Sequence, residues 1–169
     1  MTEDRKSVLF VCMGNICRSP TGEGVFQALV DERALSRDII VDSAGTIGYH
    51  TGNPADQRMQ TAAEKRGYHL TSKARQVTQN DIESFTLIVA MDRANYDDLA
   101  AMTINDEQLG RIKMLGEFLP RVSWSDRDEV RSVPDPYYGG AAGFEEVLDM
   151  IESACPSILE HLTGESDPA

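Results

Sequence analysis

The sequence predicts an α/β fold: a three-layer αβα domain of the flavodoxin or Rossmann type with four parallel strands. Short apolar runs rich in β-branched residues alternate along the chain with longer segments of helical periodicity. The chain of 169 residues also has the size of one domain with a buried core. We therefore expect a single domain over residues 1–169, with a core from about 7 to 162, and a ligand site beyond the carboxyl ends of the strands.

The first three elements are expected to be a strand, a helix and a second strand. Residues 7–11 form a largely apolar run that predicts a buried strand. Ser19 is a favourable N-cap residue and Pro20 a favourable first helical residue, so a helix is expected from there to about residue 35. A second strand is expected at 39–41, where every residue is β-branched.

Caps and turn signals locate the remaining elements. Gly67 ends a helix expected at 56–66, and Asp92 caps a helix expected to run to about residue 102. The other predicted elements are a short helix at 78–85, strands at 86–91 and 112–114, and a closing amphipathic helix at 144–162. The polar stretch 120–143 has no predicted element, and connections of this length are usually functional or disordered.

Composition and charge exclude several classes of function. The formal net charge is −12, and no cluster of Lys or Arg supplies the cationic surface that nucleic-acid binding needs. No segment approaches the ~20 apolar residues of a membrane span, and the first apolar run is too short for a signal peptide. We therefore expect a cytoplasmic protein without membrane insertion and without a nucleic-acid partner.

The cysteines and histidines argue against a disulfide framework and against a metal site. Cys12, Cys17 and Cys155 make an odd number of cysteines in a chain that carries no secretory signal. The three histidines are scattered along the chain, and no pair of ligands has metal-binding spacing. No metal and no cofactor is therefore expected.

The loop between the first strand and the first helix carries the chemistry. Cys12 ends the apolar run, and Arg18 follows six residues later. A cysteine thiolate is favoured at a helix N-terminus beside a cation. Loop N–H groups, the helix dipole and the planar guanidinium of Arg18 would together hold a phosphate dianion. Gly14 and Asn15 suit the sharp or left-handed turns of such a loop.

This loop predicts phosphoryl transfer through cysteine, with the charge of the transferred group held by preorganised donors. The alternative, a strand-end cysteine buried as a small apolar residue, leaves the loop composition unexplained. Transfer from an alcohol or a phenol also needs an acid for the leaving oxygen. Asp135 is the best candidate because Pro134 and Pro136 restrict its backbone. A surface Asp-Pro turn is the alternative for Asp135, and Asp126 and Asp128 are rival acids.

Five segments together resemble the low-molecular-weight protein tyrosine phosphatases. The first is Val11-Cys12-Met13-Gly14-Asn15-Ile16-Cys17-Arg18-Ser19-Pro20, which is similar to the family signature almost residue for residue. The others are Val41-Asp42-Ser43-Ala44, Ala74-Arg75-Gln76, Met91-Asp92 and Asp135-Pro136-Tyr137-Tyr138, in the family's order and spacing. The resemblance covers about residues 7–162, and it implies the fold and the activity of that family.

The resemblance implies a role for each matching position. Cys12 would be the nucleophile that forms a phosphocysteine intermediate, Arg18 would bind the phosphoryl group, and Asp135 would act as general acid and then as general base. Ser19 would hydrogen-bond the sulfur. Asn15 would hold the loop in shape. Ser43 and Ser36 would be the polar supports of Asn15.

The resemblance also implies a substrate slot and a redox partner. The residues that would bind the substrate, in the phosphate loop and in the slot for the aromatic ring, are Met13, Gly14, Asn15, Ile16, Cys17, Ser19, Tyr49 and Tyr137. Cys17 would form a reversible disulfide with Cys12 under peroxide and so protect the nucleophile from over-oxidation. A buried loop thiol without a redox role is the alternative for Cys17.

The implied partner is a tyrosine-phosphorylated protein, a bacterial tyrosine kinase being one candidate, and the protein is expected to be a monomer or a weak dimer.

Two features depart from the family. Ser72 stands where the family often has histidine in a polar network around the loop, so Ser72 is left out of the predicted site. The acidic segment 123–133 is less typical and could alter partner choice.

Two other functions compete with phosphatase activity. A thioredoxin-coupled arsenate reductase shares the fold and a similar loop, but it needs further redox cysteines, and residues 18–154 contain none. A phosphotyrosine-binding module without turnover would not need Cys12 and Asp135.

Overall fold

A four-stranded, all-parallel sheet forms the centre of the molecule in the computed structural model, which describes residues 5–120 and 130–164. The strands are β1 (Lys6–Cys12), β2 (Ile39–Gly45), β3 (Leu87–Ala90) and β4 (Ile112–Met114), in the spatial order β2-β1-β3-β4. The α/β class predicted from the alternating pattern is confirmed. Cys12 pairs with Gly45 across the first two strands, so both residues lie at the carboxyl edge of the sheet.

Six α-helices cover the two faces of the sheet in the part of the chain that the structure describes. They are α1 (Arg18–Glu32), α2 (Gln57–Glu64), α3 (Gln79–Ser84), α4 (Arg93–Ala100), α5 (Asp106–Gly110) and α6 (Ala141–Thr163). Two short 3₁₀ helices lie between β4 and α6, at Leu115–Phe118 and at Pro136–Tyr138. None of the described helices is both long enough and apolar enough to cross a membrane.

The side chains of β1 alternate between two apolar cores, as expected for a parallel strand buried on both faces. Phe10 packs under α1, where its ring centroid lies 5.8 Å from that of Phe26, and this core continues to α2 and α6. Leu9 faces the other core, which contains Ile82 of α3 and Leu99 of α4. The strand that leads into the predicted reactive loop is therefore packed against an apolar core on each face.

Helix α1 approaches β1 closely because of a glycine. A Cβ atom added to Gly22 would lie 2.7 Å from the Phe10 ring and 3.0 Å from the Met91 side chain. Such contacts are far inside van der Waals distance, so only glycine permits this spacing. The close packing fixes the start of α1 relative to the end of β1, where the loop lies.

Several predicted boundaries were wrong. Helix α1 begins at Arg18 rather than at Pro20, and the Ser19 hydroxyl does not cap the helix but contacts Cys12. Strand β2 continues to Gly45, and α6 begins at Ala141. Helix α5 was missed, although Asn105 caps it by accepting a hydrogen bond from the N–H of Gln108.

Some expectations fall outside the described residues. Asp126 and Asp128, the rival acids, and most of the acidic segment 123–133 lie in the range 121–129, which the structure does not describe. The expectation of a single domain over residues 1–169 stays a prediction.

Candidate active site

Cys12 lies where the sheet topology predicts a ligand site. It is the last residue of β1. The chain passes from β1 to β2 on one side and then crosses to β3 on the other side of β1, so the order in which strands are added reverses at β1. The backbone N–H groups of Asn15 and Ser19 point at the Cys12 sulfur, with N···Sγ distances of 3.3 and 3.4 Å. Ser19 Oγ lies 3.1 Å from the same sulfur. Two backbone N–H donors, the Ser19 hydroxyl and the amino end of α1 surround the sulfur, an arrangement that stabilises negative charge.

Asn15 holds the loop through its backbone and its side chain. Its φ angle is 60°, a left-handed conformation that asparagine tolerates better than most residues. The N–H of Arg75 donates to Asn15 Oδ1 at 2.9 Å, which identifies the other amide atom as the donor nitrogen. That nitrogen donates to Ser19 Oγ at 2.8 Å and to Ser43 Oγ at 3.0 Å. Because Ser19 Oγ accepts from Asn15, its own hydrogen is available for Cys12 Sγ or for the carbonyl oxygen of Ala44 at 3.3 Å.

The network behind the loop ends on a carboxyl group. Ser43 Oγ donates to Glu23 Oε1 at 2.6 Å, and the Ser72 side chain also hydrogen-bonds Glu23. Burial raises the pKa of Glu23 despite these hydrogen bonds. Glu23 was missed, and Ser72, which had been left out, belongs to the network.

The predicted role of Ser36 is wrong. Ser36 is exposed in the connection that precedes β2, at the amino ends of the strands, whereas the loop lies at their carboxyl ends. The length of the strands therefore separates Ser36 from Asn15. Ser43, at the other end of β2, makes the predicted contact.

Arg18 is fixed by two partners that the chain brings from other elements. Its Nη1 donates to Asp92 Oδ2 at 2.6 Å and to the carbonyl oxygen of Val133 at 3.1 Å. Asp92 is itself held as the N-cap of α4, where it accepts from the N–H of Asn95. Burial opposes the charge of Arg18, but Cys12 and Asp92 outweigh it and raise the pKa of Arg18. The guanidinium is therefore charged and has a defined orientation.

Asp135 lines the same pocket as residues 12–18, which we define as the phosphate loop. Its Oδ2 is 3.8 Å from Arg18 Nη2, and about a third of its side chain is exposed. Its Oδ1 accepts from the N–H of Tyr137 at 3.0 Å, where the 3₁₀ helix Pro136–Tyr138 begins. The carboxyl group thus faces the pocket from a turn that its own side chain helps to form.

A pocket of about 290 Å³ joins these groups. Its lining residues are Cys12, Met13, Gly14, Ile16, Cys17, Arg18, Ile47, Tyr49, His50, Asp135 and Tyr137. Most of the predicted site residues line this pocket, whereas Asn15 and Ser19 are buried behind it and act on Cys12 through the loop.

The mouth of the pocket is aromatic. Tyr49 is 80% exposed, and its ring centroid lies 4.8 Å from that of His50. The ring of His50 lies 6.5 Å from that of Tyr137, so the three rings form a continuous wall. His50 and Ile47 were not predicted to belong to the site; their proximity to Tyr49 in sequence was the available signal.

Cys17 lies beside Cys12 in the same pocket, and neither cysteine is in a disulfide. Burial, together with the negative charges of Asp56 and Cys12, raises the pKa of Cys17 to about 12. Cys17 is therefore a neutral thiol at physiological pH. In the described residues, no three His, Cys, Asp or Glu side chains are grouped as they would be to hold a metal ion.

The comparisons with known proteins agree with this geometry. A family model described as low molecular weight phosphotyrosine protein phosphatase matches residues 7–167. A low molecular weight protein-tyrosine-phosphatase of Streptomyces coelicolor is 41% identical over 152 residues, which cover 90% of this chain and 90% of the relative.

Solved structures match over almost the whole chain. A protein tyrosine phosphatase from Entamoeba histolytica with Hepes in its active site has a TM-score of 0.85 and 38% identity, and the match covers 94% of this chain and 98% of that one. Wzb of Vibrio vulnificus in complex with benzylphosphonate has a TM-score of 0.75 and 26% identity, over 93% of this chain and 99% of that one.

The fold, the pocket and these matches together define an enzyme of the protein-tyrosine-phosphatase class. Within that class, the chain belongs to the low molecular weight phosphotyrosine protein phosphatase family.

Proposed function

We propose that the protein hydrolyses phosphotyrosine in two steps through a phosphocysteine intermediate on Cys12. The observation that carries the proposal is the arrangement around one pocket. The Cys12 sulfur accepts from two backbone N–H groups and contacts the Ser19 hydroxyl, and Arg18 and Asp135 face the same space. Nucleophile, anion clamp and proton donor are the parts that phosphoryl transfer to cysteine requires.

In the first step, the Cys12 thiolate attacks phosphorus in line with the leaving oxygen. The S–P bond forms while the P–O bond to tyrosine breaks, and its electron pair stays with the phenol oxygen. Asp135, entering as the neutral acid, gives its proton to that oxygen. Arg18 and the loop N–H groups hold the equatorial oxygens, whose charge persists in the transition state.

In the second step, water attacks phosphorus and the S–P bond breaks. Asp135, now a carboxylate, takes a proton from the water, and inorganic phosphate forms. The sulfur leaves as a thiolate, and the Ser19 hydroxyl and the N–H groups of Asn15 and Ser19 stabilise its charge. Asn15 keeps Ser19 in the orientation that this requires.

The aromatic wall supports phosphotyrosine as the substrate. Tyr49, His50 and Tyr137 line the mouth of the pocket, where a phenyl ring attached to the bound phosphoryl group would lie. Aromatic pairs gain stability from offset or edge-to-face contact. The benzylphosphonate bound to the Vibrio vulnificus relative is an aryl-methyl phosphonate, which fits the same expectation.

The physiological substrate is proposed to be a tyrosine-phosphorylated protein of the cytoplasm, with a bacterial tyrosine kinase as one candidate. The net charge of −12 gives no long-range attraction for a phosphoprotein. Recognition therefore depends on local groups such as Arg18 and the aromatic wall. A monomer or a weak dimer is the proposed state.

The rival functions lack support of this kind. Arsenate reduction would need a relay of cysteines, and the third cysteine, Cys155, is buried within α6 among apolar side chains of the core and does not line the pocket. Burial raises the pKa of Cys155, which makes it unreactive. A binding module without turnover would have no use for Asp135 in the same pocket as an intact nucleophile.

The substrate class is tested with two matched phosphopeptides. The purified protein is expected to release inorganic phosphate from a phosphotyrosyl peptide in the presence of EDTA. It should release at least ~10-fold less from the same peptide with phosphoserine, because the shorter side chain does not reach the aromatic wall. Equal rates on both peptides, or arsenate reduction with thioredoxin in place of phosphate release, would contradict the proposal.

Oxidation by peroxide tests the proposed role of Cys17. Peroxide converts the Cys12 thiolate to a sulfenic acid, and the Cys17 sulfur then displaces water to form a disulfide that thiol reductants reopen. With peroxide in excess, an unprotected sulfenic acid is oxidised further to a sulfinic acid that dithiothreitol does not reduce. Activity should therefore return with dithiothreitol in the wild type and in C155S, but not in C17S. Because the pKa of Cys17 is raised to about 12, the disulfide should form faster as pH rises from 7 to 9. Equal recovery in C17S would show that no protective disulfide forms.

A further inference from the structure

Arg58, in the first turn of α2, lies at the surface but makes an ion pair, a backbone hydrogen bond and ring contacts. About half of its side chain is exposed. Its guanidinium nevertheless bonds to the Asp56 carboxylate through two nitrogens, with Nε–Oδ1 at 3.1 Å and Nη2–Oδ2 at 3.0 Å. The same Nη2 donates to the carbonyl oxygen of Tyr137 at 3.1 Å.

One end of this arrangement is attached to the phosphate loop. The backbone N–H of Asp56 donates to the carbonyl oxygen of Ile16 at 2.7 Å. Asp56 is also the N-cap of α2, since its Oδ1 accepts from the N–H groups of Arg58 and Met59. The bonds to Arg58 outweigh the effect of burial and lower the pKa of Asp56, so the carboxylate stays charged. The Asp56 carboxylate therefore holds the Arg58 guanidinium at a fixed position beside the phosphate loop.

The other end holds the turn that carries the proposed acid. The Arg58 guanidinium carbon lies 5.5 Å from the ring centroid of Tyr137 and 5.0 Å from that of Phe144. Cations bind the faces of such rings at distances up to about 6 Å. Tyr137 donates its N–H to Asp135 Oδ1. A continuous chain of contacts thus runs from Ile16 through Asp56, Arg58 and Tyr137 to Asp135.

Within the part of the chain that the structure describes, Asp135 has few other contacts toward the phosphate loop. Among residues 5–120 and 130–164, its cationic contact is to Arg18 at 3.8 Å, beyond hydrogen-bond distance, and a third of its side chain is exposed. Its orientation depends on the 3₁₀ turn Pro136–Tyr138. Arg58 donates to the carbonyl oxygen of Tyr137, the middle residue of that turn, and so links the turn to α2. A displacement of the turn would move the carboxyl group away from the leaving oxygen.

We propose that Arg58 is a positioning residue that sets the distance between the phosphate loop and the general acid Asp135. The proposal rests on the function proposed above, in which Asp135 protonates the leaving group. Arg58 itself touches no reacting atom. Its effect on kcat/KM, which reports the step in which the leaving group departs, should therefore appear only with leaving groups that need the proton.

Leaving-group dependence separates this role from a merely structural one. Phenyl phosphate needs protonation of its leaving oxygen, whereas 2,4-dinitrophenyl phosphate releases a stable anion without it. In R58M, kcat/KM for phenyl phosphate should fall ~10-fold, and kcat/KM for dinitrophenyl phosphate less than ~2-fold. Inhibition by inorganic phosphate should be unchanged, because Arg18 and the loop are intact. R58K, which keeps the charge but not the fork, should lie between R58M and the wild type.

R93M is the matched control. Arg93 also pairs with a carboxylate, Asp97 at 3.1 Å, and lies 5.3 Å from the ring of Tyr96, but it is on α4 and does not line the pocket. Its kinetics should equal those of the wild type. An equal loss on both substrates in R58M, or no loss on either, would overturn the proposal.

Parallel measurement of D135A separates failure of this proposal from failure of the proposed function. If D135A shows the leaving-group dependence and R58M does not, Arg58 does not position the acid, and the acid role of Asp135 stands. If D135A itself shows no such dependence, Asp135 is not the acid, and both proposals are wrong.

Discussion

Replacement of Cys12 by serine is expected to reduce kcat on a phosphotyrosyl peptide by about 10⁴-fold or more. A serine hydroxyl is not ionised at neutral pH, and an alkoxide is a poorer leaving group than a thiolate in the second step. The donors that surround the sulfur would remain in C12S, so inorganic phosphate should still bind. Steady-state kinetics and calorimetric titration with phosphate measure the two effects.

The matched control for this prediction is C155S. Cys155 is buried in the core within α6 and lines no part of the pocket, so its replacement should leave kcat within ~2-fold of the wild type. Turnover by C12S at the wild-type rate would rule out Cys12 as the nucleophile. Loss of phosphate binding in a folded C12S would contradict the assignment of binding to Arg18 and the loop.

Replacement of Asp135 by alanine is expected to lower kcat on the same peptide by about 10²–10³-fold, the usual contribution of a positioned acid or base. The carboxyl group serves the leaving phenol in one step and the attacking water in the next, so both steps slow. Binding of inorganic phosphate should change little, because Asp135 approaches Arg18 no closer than 3.8 Å. Kinetics with the peptide and competition by phosphate separate the two effects.

D38A provides the comparison for Asp135. Asp38 is an exposed residue just before β2, at the opposite edge of the sheet, and its replacement should not alter kcat. A D135A variant whose KM rises while kcat is unchanged would mean that the residue binds substrate rather than moving protons. Such a result would move the acid role to another group.

The nucleophile and the anion clamp could be predicted from sequence because the information is local. A buried strand, a short loop and a helix start fix the relation of Cys12 to Arg18 within a few residues. Elementary helix chemistry then explains why an anion binds there. Asp135 lies more than a hundred residues later. The need for an acid and the flanking prolines made it the best candidate, with a surface turn as the alternative, and the family resemblance then supported it.

Of the loop's supports, only Ser43 was predicted, and only as an implication of the family resemblance; Glu23 was missed and Ser72 left out because such supports come from distant parts of the chain. Glu23 lies on α1, Ser43 on β2 and Ser72 in the segment after α2, and only the packed fold brings them together. Ser36 is as polar as Ser43, but the direction of β2 leaves it at the wrong end of the sheet. Serine is a residue type favoured at N-caps, yet the Ser19 hydroxyl contacts the Cys12 sulfur instead.

Arg58 illustrates the same limit. As an arginine near a helix start, it has the sequence signature of an ordinary solvated side chain. Its contacts to Asp56 are local, but those to Tyr137 and Phe144 span about half the chain. Long-range contacts of this kind depend on how α6 packs against α2, which the hydrophobic pattern does not specify.

The most direct test of the phosphocysteine mechanism is a rapid-quench experiment. The wild-type protein is mixed with a phosphotyrosyl peptide, quenched within milliseconds, digested and examined by mass spectrometry. One phosphoryl group should be found on Cys12, on a time scale that matches turnover, and none should be found in C12S. A phosphoryl group on another residue, or phosphate release with no phosphoenzyme at any time, would contradict catalysis through Cys12.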